Sequence, residues 1–281
     1  MLIKTPHTTL DLNSRVHVMG ILNVTPDSFS DGGRLTSQTD LLNQAETMIQ
    51  DGADILDIGG ESSRPFAEEV ATEEELHRVI PAITAIRKRF STPISIDTTK
   101  AEVARQALEA GADIINDISA FQSDPGIVDI ALQYDVPVII MHMQGTPRTM
   151  QVNPSYDDVI GEIRSALAER IDWAEERGLS RNKIIVDPGI GFGKTIGHNL
   201  TILKNLSQFS QLGCPILVGH SRKAFIGSLL DIKDPTSRDD ATSVLSALCV
   251  QSGVSILRVH DVGKTIQAVK LAEAVLKAVD N

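Results

Sequence analysis

Eight short runs of Ile, Leu and Val recur along the chain, and each carries a polar residue at or near its end. The runs cover residues 16–23, 55–60, 94–97, 114–118, 138–143, 184–187, 216–221 and 256–261. Their polar endings are Asn23, Asp57, Asp97, Asn116, Asp117, His142, Asp187, Ser221, Arg258 and His260. Runs this apolar are typical of strands buried on both faces, as in a parallel sheet covered by helices.

Segments with helical periodicity separate these runs. They cover residues 38–50, 73–89, 101–110, 125–134, 157–177, 199–211, 239–251 and 264–279. A strand–helix alternation that repeats eight times predicts an α/β fold, a single (β/α)8 TIM barrel spanning residues 1–281. Catalytic groups of such barrels sit at the C-terminal ends of the strands, so the polar endings mark the expected site.

The N-terminal segment shows a different pattern. Leu10, Leu12, Val16 and Val18 alternate with other residues around the polar stretch 13–15. Alternation on both sides of a polar stretch is typical of a β-hairpin. We therefore predict a short N-terminal hairpin that closes the bottom of the barrel.

Two loops at the expected site are long. Loop 1 (residues 26–37) follows strand 1 and loop 2 (residues 61–72) follows strand 2, and both contain several Gly, Ser, Asp or Pro residues. Loops of this kind at the functional face usually act as lids or binding loops. At the end of loop 2, Thr72 followed by Glu75 predicts a capping box at the start of a helix.

Composition limits the classes of partner. The chain has 281 residues, 42% hydrophobic and 22% charged, with a formal net charge of −11. This charge argues against binding of nucleic acid or of an anionic membrane, and an anionic substrate would have to meet locally gathered cations. No leader pattern and no apolar span is apparent, and the cysteines Cys214 and Cys249 are expected to be free core thiols. We therefore expect a cytoplasmic protein.

Three polar strand ends combine acid and amide groups. Asp97, Asn116 and Asp187 end three different strands in predicted burial. A buried carboxylate needs donors or a cation, so these groups either brace the barrel rim or bind a ligand. Because three of them converge on one cavity, we favour a receptor for a flat heterocycle that presents adjacent N–H donors.

Cations are concentrated after strands 7 and 8. Arg222 and Lys223 follow strand 7, and Arg258 and His260 end strand 8, where this architecture often binds phosphate. Arg258 interrupts an apolar strand, so its charge needs a partner. Arg64, in loop 2, adds a further candidate clamp for an anion, since the planar guanidinium suits phosphate oxygens.

The glycine-rich stretch 189–194 is not a nucleotide-binding motif. It lacks the spacing of a Walker sequence, which leaves a tight turn in which Phe192 presents a ring to an aromatic ligand. The histidines show no metal spacing, and we interpret His142 and His198 as structural or rim residues. Mg²⁺ needs few protein ligands when a diphosphate supplies oxygens, so Asn23 is the expected single contact.

Taken together, these segments resemble the dihydropteroate synthase family. The matching stretches are residues 19–33, 57–65, 95–100, 115–118, 141–145, 187–194, 219–223 and 258–261, so the resemblance extends along nearly the whole chain. One departure is conservative: Ser63 stands where the family usually has Thr, and it keeps the hydroxyl.

The resemblance implies a transferase reaction. The amine of p-aminobenzoate would displace diphosphate from the methylene carbon of 6-hydroxymethyl-7,8-dihydropterin diphosphate, which gives 7,8-dihydropteroate by dissociative C–O cleavage. No activated nucleophilic side chain is visible in the sequence, and this reaction requires none. The resemblance also implies Mg²⁺ as cofactor, a homodimer and sensitivity to sulfonamides.

The resemblance further implies roles for individual residues. The pterin would be held by Asp97, Asn116, Asp187 and Lys223. The diphosphate would be held by Asn23, with its Mg²⁺, and by Arg64, Arg258 and His260. The p-aminobenzoate pocket would be bordered by Phe29, Ser63, Pro65, Phe192, Ser221 and Lys223. Further substrate-binding positions are Ile118, Met141 and Gly219. The catalytic groups would be Asp97, Lys223, Arg258 and His260.

Two alternatives remain at this point. A corrinoid-linked methyltetrahydrofolate methyltransferase module resembles this chain at the Asp, Asn and Asp positions, but it has no use for a diphosphate clamp. A non-catalytic paralogue kept for binding should have lost some of the cations or shortened loops 1 and 2. The chain retains Arg64, Lys223, Arg258 and His260, and both loops are long.

Overall fold

Strands account for the apolar runs in the computed structural model, which describes residues 2–4, 8–24, 34–64 and 67–278. A two-stranded antiparallel hairpin is formed by β1 (Leu2–Lys4) and β2 (Thr9–Asp11). The parallel strands are β3 (His17–Asn23), β4 (Ile55–Gly59), β5 (Ile94–Asp97), β6 (Ile114–Asp117), β7 (Val138–Met141), β8 (Ile184–Asp187), β9 (Leu217–Val218) and β10 (Ile256–Val259).

The parallel strands form a ring. Hydrogen-bonded neighbours follow the order β8-β7-β6-β5-β4-β3-β10-β9, and a single bridge between Val186 and Ile216 joins the two ends. Most strand residues are completely buried because one face lines the barrel interior and the other packs on helices. The predicted TIM barrel is therefore confirmed.

Helices cover the outside of this ring. They are α1 (Arg34–Gln50), α2 (Thr72–Arg89), α3 (Ala101–Glu109), α4 (Ile127–Tyr134), α5 (Val159–Glu176), α6 (Ile196–Lys204), α7 (Ala224–Leu230), α8 (Asp239–Gln251) and α9 (Val262–Leu276). Within the described ranges, no helix is both long enough and apolar enough to cross a membrane.

The helices differ from the prediction at two places. The helix predicted over residues 199–211 is divided into α6 and the 3-10 turn Leu206–Leu212. Leu206, Phe209 and Leu212 are buried at a spacing of three, which suits the three-residue turn of a 3-10 helix. The short helix α7 was not predicted, because seven residues hold too little periodicity to distinguish a helix from a loop.

The bottom of the barrel is closed by the N-terminal segment, as predicted, although the hairpin was misplaced. Leu10 and Leu12 pack in one cluster with inward side chains of the ring, including Met19 and Ile139. The hairpin pairs β1 with β2, whereas the polar stretch 13–15 joins β2 to β3. β3 is unavailable for antiparallel pairing because β4 and β10 occupy its two edges.

The start of α2 also differs from the prediction. Ala71 precedes the helix, and its side chain makes no capping hydrogen bond. Glu75 is buried and binds Lys100 Nζ at 2.5 Å instead of completing a capping box. Loop 1 lies largely outside the described residues, and α1 begins at Arg34, four residues earlier than predicted.

Candidate active site

Four strand ends bring an acid, amide and guanidinium cluster to the mouth of the barrel. Arg258 on β10 donates from Nε to Asp57 Oδ2 at 2.6 Å and from Nη2 to Asp97 Oδ2 at 2.6 Å. Asn116 on β6 donates from Nδ2 to Asp57 Oδ2 at 3.3 Å. The charge of Arg258 inside an apolar strand is thus neutralised by two carboxylates from the neighbouring strands β4 and β5.

Asp187 lies across the same cavity at the end of β8. The Gly189 N–H donates to its Oδ1 at 2.7 Å. Gly219 borders the other oxygen, because a Cβ placed on Gly219 would lie 3.7 Å from Asp187 Oδ2 and 3.9 Å from Arg258 Cβ. The structure therefore places Asp187 and Gly219 beside the cluster formed by Asp57, Asp97 and Arg258.

Burial makes two carboxyl groups of this cavity, those of Asp97 and Asp187, weaker acids. It raises the pKa of Asp97 to about 7, to which Asp57 and Glu75 add by repulsion while Arg258 opposes the rise. It also raises the pKa of Asp187 to about 6, against the Gly189 N–H and Lys223. Each of these two carboxylates has one oxygen that accepts no hydrogen bond from the described residues, so a ligand that presents N–H groups would favour their charged form.

An amine and an aromatic ring form the next part of the cavity. Lys223 Nζ lies 3.9 Å from the centroid of the Phe192 ring, within the range of a cation–π contact. Burial and the charge of Arg258 lower the pKa of Lys223 to about 8. Behind the ring, Phe192 packs in an apolar cluster with Met141, Met150, Ile118 and Met143.

Ser221 and His260 form a pair at the ends of β9 and β10. Ser221 Oγ lies 2.9 Å from His260 Nδ1, and the His260 backbone N–H donates to the same oxygen at 3.1 Å. Burial, followed by the charges of Arg222 and Arg258, lowers the pKa of His260 to about 3. The interpretation of His260 as a cation is therefore wrong for this state, and it is a neutral hydrogen-bonding group at pH 7.

Of the remaining predicted residues, three have no hydrogen bond to this cluster and two fall outside the described ranges. Arg64 is exposed on loop 2 and Ser63 is half-buried beside it. Asn23 is exposed at the end of β3. The predictions for Phe29 and Pro65 fall on residues outside the described ranges.

Sequence reasoning missed two members of the site. Asp57 was recognised as a polar strand end but was given no role, although it holds both Arg258 and Asn116. Lys194 was treated as part of a turn, yet it is buried, and its Nζ donates to Phe192 O at 2.8 Å. Burial lowers the pKa of Lys194 to about 7. Only the position of these residues next to predicted site residues could have indicated them.

His142 and His198, interpreted from the sequence as structural or rim residues, both contact neighbouring side chains. His142 Nδ1 lies 3.2 Å from Lys194 Nζ, and His198 completes the N-terminal cap of α6 with Thr195. A cavity of about 630 Å³ opens beside His142, and its wall is formed mainly by α5. This cavity is separate from the acid cluster.

The donor set fits a metal only if a ligand supplies most of the oxygens. The described residues contain no group of three or more His, Cys, Asp or Glu side chains that could hold a metal ion. The exposed amide of Asn23 offers one hard oxygen at the mouth of the barrel. This arrangement fits Mg²⁺ that is bound together with a diphosphate.

The fold and the site define an α/β-barrel enzyme with a buried binding site whose carboxylates can accept hydrogen bonds from a ligand. A family model described as pterin binding enzyme matches residues 19–260. A dihydropteroate synthase of Synechocystis is 50% identical over 95% of this chain and 92% of its own length.

Solved structures agree with this result. A Yersinia pestis dihydropteroate synthase in a sulfonamide drug complex has a TM-score of 0.93 and 43% identity, with 99% of this chain and 100% of that one covered. A Xanthomonas albilineans dihydropteroate synthase in complex with 7,8-dihydropteroate has a TM-score of 0.90 and 40% identity, with the same coverage. The chain belongs to the pterin-binding enzyme family, among the dihydropteroate synthases. The predicted family is therefore confirmed.

Proposed function

We propose that this transferase condenses 6-hydroxymethyl-7,8-dihydropterin diphosphate with p-aminobenzoate, releasing 7,8-dihydropteroate and diphosphate. The observation that supports the proposal is the buried receptor at the barrel mouth, in which one carboxylate oxygen of Asp97 and one of Asp187 accept no hydrogen bond from the described residues. A relative of 40% identity binds 7,8-dihydropteroate, which is the product of this reaction. The same function would place the chain in folate biosynthesis.

The pterin ring suits this receptor. Its adjacent N–H groups would donate to Asp97 and Asp187, and Asn116 and Lys223 would contact the ring from the sides. Donors to a carboxylate favour its charged form, so binding would lower the pKa values of Asp97 and Asp187 and release protons. The two charged carboxylates would then face a ring that becomes positive during the reaction.

Arg258 can bind the diphosphate through one nitrogen while its other nitrogens hold the guanidinium in place. Its Nε and Nη2 hold Asp57 and Asp97, and Nη1 is the nitrogen with no hydrogen-bond partner among the described residues. We propose that Nη1, the His260 ring and Arg64 contact the diphosphate. When bound at Asn23, Mg²⁺ would supply further positive charge to the leaving group.

Catalysis in this proposal comes from helping the leaving group depart. An arylamine is a weak nucleophile, so the C–O bond at the methylene carbon would break ahead of amine attack. Arg258 would stabilise the negative charge that develops on the diphosphate, and Asp97 and Asp187 would stabilise the positive charge on the pterin. Loop 2 would limit the access of water to the activated carbon.

The p-aminobenzoate pocket would lie between the Lys223–Phe192 contact and loop 2. Lys223 would meet the carboxylate, Phe192 would face the ring, and Ser221 and Ser63 would border the pocket. The Yersinia pestis relative binds a sulfonamide drug, and sulfonamides resemble p-aminobenzoate in size and charge pattern. We therefore propose that sulfonamides compete at this pocket.

A diphosphate-release assay with both substrates tests the proposed function. We expect release that needs both the pterin diphosphate and p-aminobenzoate and that falls when Mg²⁺ is removed by a chelator. Methyl transfer from methyltetrahydrofolate without diphosphate release would instead indicate a corrinoid-linked module. Binding of both ligands without turnover would indicate a non-catalytic paralogue.

We also propose a homodimer. Exposed apolar side chains lie on three helices at one side of the barrel, namely Leu229, Leu230, Val244, Leu248, Leu271, Val275 and Leu276. Val244 and Leu248 on α8, and Leu271 and Val275 on α9, are each four residues apart and so share a helix face. We call the patch formed by these four residues the α8–α9 face. Apolar faces of this kind mark interaction surfaces.

A cytoplasmic location remains part of the proposal. Cys214 and Cys249 are free and buried, as predicted, which suits a reducing compartment. Burial raises the pKa values of both thiols, to about 11 for Cys214 and about 12 for Cys249. Thiols in this state are poorly reactive and act as core residues.

A further inference from the structure

The segment that follows β9 is attached to α8 by two side chains that alternate with two site residues. His220 is completely buried, and its Nε2 lies 3.0 Å from Ser246 Oγ on α8. Arg222 donates from Nε and Nη2 to the two carboxylate oxygens of Asp239, each at 2.7 Å. Ser221 and Lys223, the residues between and after them, contact His260 and Phe192 instead.

Arg222 has a left-handed backbone conformation, with φ of 58°. Side chains other than Gly, Asn and Asp rarely adopt this region, and the strain persists only where surrounding contacts hold it. Its N–H donates to Thr242 Oγ1 at 3.2 Å, and its carbonyl accepts from Arg238 Nη1 at 2.9 Å. With the pair to Asp239, Arg222 is therefore held at its backbone and at its side chain.

Arg222 and its two neighbours contact different parts of the molecule. Arg222 contacts Asp239 of α8, whereas Ser221 contacts His260 and Lys223 contacts Phe192. Because Arg222 lies between Ser221 and Lys223, its fixed backbone sets the direction in which the chain leaves one of them and enters the other. Arg222 was a candidate anion-binding residue from sequence alone, but its charge is engaged by Asp239. Its contacts therefore indicate a role other than anion binding.

We infer that Arg222, held by Asp239, is a positioning residue that sets the geometry of Ser221 and Lys223 in the p-aminobenzoate subsite. This inference rests on the proposed function, because Ser221 and Lys223 are assigned to that subsite there. The guanidinium of Arg222 is engaged by Asp239 and is assigned no contact with substrate. Asp239 opens α8, so this helix connects the subsite to the α8–α9 face.

Steady-state kinetics of single variants test the inference. We expect Asp239→Asn and Arg222→Ala each to raise the KM for p-aminobenzoate by roughly tenfold, which corresponds to about 1.4 kcal/mol. Arg222→Gly should raise it less than Arg222→Ala, because glycine adopts positive φ without strain. A purely structural role would change the stability of these variants and leave the KM for p-aminobenzoate unchanged. Asp240→Asn, the same change at the next and exposed position of α8, is the matched control.

A double-mutant cycle decides whether Asp239 acts through Arg222. Asp239→Asn should have no further effect on the KM in the Arg222→Gly background, because the contact is already lost. Calorimetric binding of p-aminobenzoate to the enzyme with Mg²⁺ and diphosphate gives the same comparison without turnover. If a single variant does not fold, Arg222→Lys, which keeps the charge and loses the two-pronged contact, replaces it.

Three results would overturn the inference: unchanged KM values in Asp239→Asn and Arg222→Ala, equal values for the Gly and Ala variants, or additive effects in the cycle. Failure of the proposed function would be a separate result. In that case the unmodified enzyme itself would release no diphosphate and bind no p-aminobenzoate, whereas failure of the inference leaves it fully active.

Discussion

At the scale of single residues, the site depends on charges whose partners come from distant parts of the sequence. Arg258 neutralises Asp57 and Asp97, which lie about two hundred and one hundred and sixty residues earlier in the chain. Breaking a buried pair leaves an uncompensated charge, which is more costly than never having formed the pair. Stability and activity should therefore change together at Arg258.

Replacement of Arg258 tests this coupling. Arg258→Ala should lower diphosphate release by about 10²–10³-fold, the scale of one lost charged donor to the leaving group. It should also reduce the free energy of unfolding by about 3 kcal/mol, because Asp57 and Asp97 lose their cation. Urea unfolding and the release assay measure the two effects. Arg89→Ala, which breaks an exposed pair with Glu46, is the control and should change neither.

Replacement of Asp187 should raise stability while it abolishes activity, whereas replacement of Arg258 should lower both. The pKa of Asp187 is raised from 3.8 to about 6, so the folded protein retains a proton that the unfolded chain loses near pH 4. The contribution of Asp187 to stability therefore falls as pH rises from about 4 to 6 and stays low above that range.

The variant Asp187→Asn should remove this loss of stability at higher pH, and its amide oxygen can still accept the hydrogen bond from the Gly189 N–H. At pH 7.5 we expect it to be more stable than the unmodified enzyme by about 1–3 kcal/mol, and at pH 4 equally stable. Its activity should be lost, because Asn cannot carry the charge that faces the pterin. Thermal unfolding across pH measures the difference. A stability difference that does not change with pH would contradict the assigned pKa.

At the scale of elements, two helices hold the beginning of loop 2. Lys100, at the start of α3, donates to Glu75 of α2 and to Glu61 of loop 2, each at 2.5 Å. Arg78 of α2 donates to the carbonyl of Gly60 at 2.8 Å. Glu75 Oε1 is buried without a hydrogen-bond partner, so Lys100 is the group that compensates this carboxylate.

Lys100 should therefore control the position of loop 2. Lys100→Met should raise the KM for p-aminobenzoate and speed protease cleavage within residues 61–72, because Glu61 loses its anchor. Lys100→Arg keeps the charge and should retain most of the function. Limited proteolysis and steady-state kinetics measure both effects. Arg105→Met on α3, which breaks exposed pairs with Glu102 and Glu109, is the matched control and should leave cleavage unchanged.

Element prediction succeeded where one physical signal dominated. The strands were predictable because stretches such as 138–141 and 184–187 are buried on both faces and consist mainly of Ile and Val. The capping box failed because Glu75 is used in a tertiary contact with Lys100, which no local pattern reveals. The 3-10 turn at Leu206–Leu212 failed because a spacing of three fits part of a helix equally well over so few residues.

At the scale of the whole molecule, barrel topology explains why the location of the site was predictable. Polar ends of parallel strands meet at one mouth, so Asp97, Asn116 and Asp187 could be placed together from sequence. The charge state and the partners of each side chain were not predictable from topology. Neutral His260 and the paired Arg222 depend on burial and on partners that only the folded chain brings near.

Assembly is tested by placing charge on the α8–α9 face. The double variant Val244→Glu and Leu248→Glu should convert a dimer to a monomer, because two desolvated carboxylates would have no partners at the interface. Light scattering after size-exclusion chromatography measures the mass. Leu132→Glu, on the exposed side of α4, is the control and should keep the mass of the unmodified protein. A monomeric unmodified protein would contradict the proposed dimer.

The single bridge between Val186 and Ile216 makes the boundary of β8 and β9 the most weakly paired part of the ring. Asp187 stands on one side of this seam, and Ser221 and Lys223 stand on the other. A pterin that contacts Asp187 and Lys223 would act as a cross-link and suppress breathing of the barrel there. Hydrogen–deuterium exchange of residues 216–218 should therefore slow when pterin diphosphate binds, while exchange across the fully paired β3–β4 boundary should barely change.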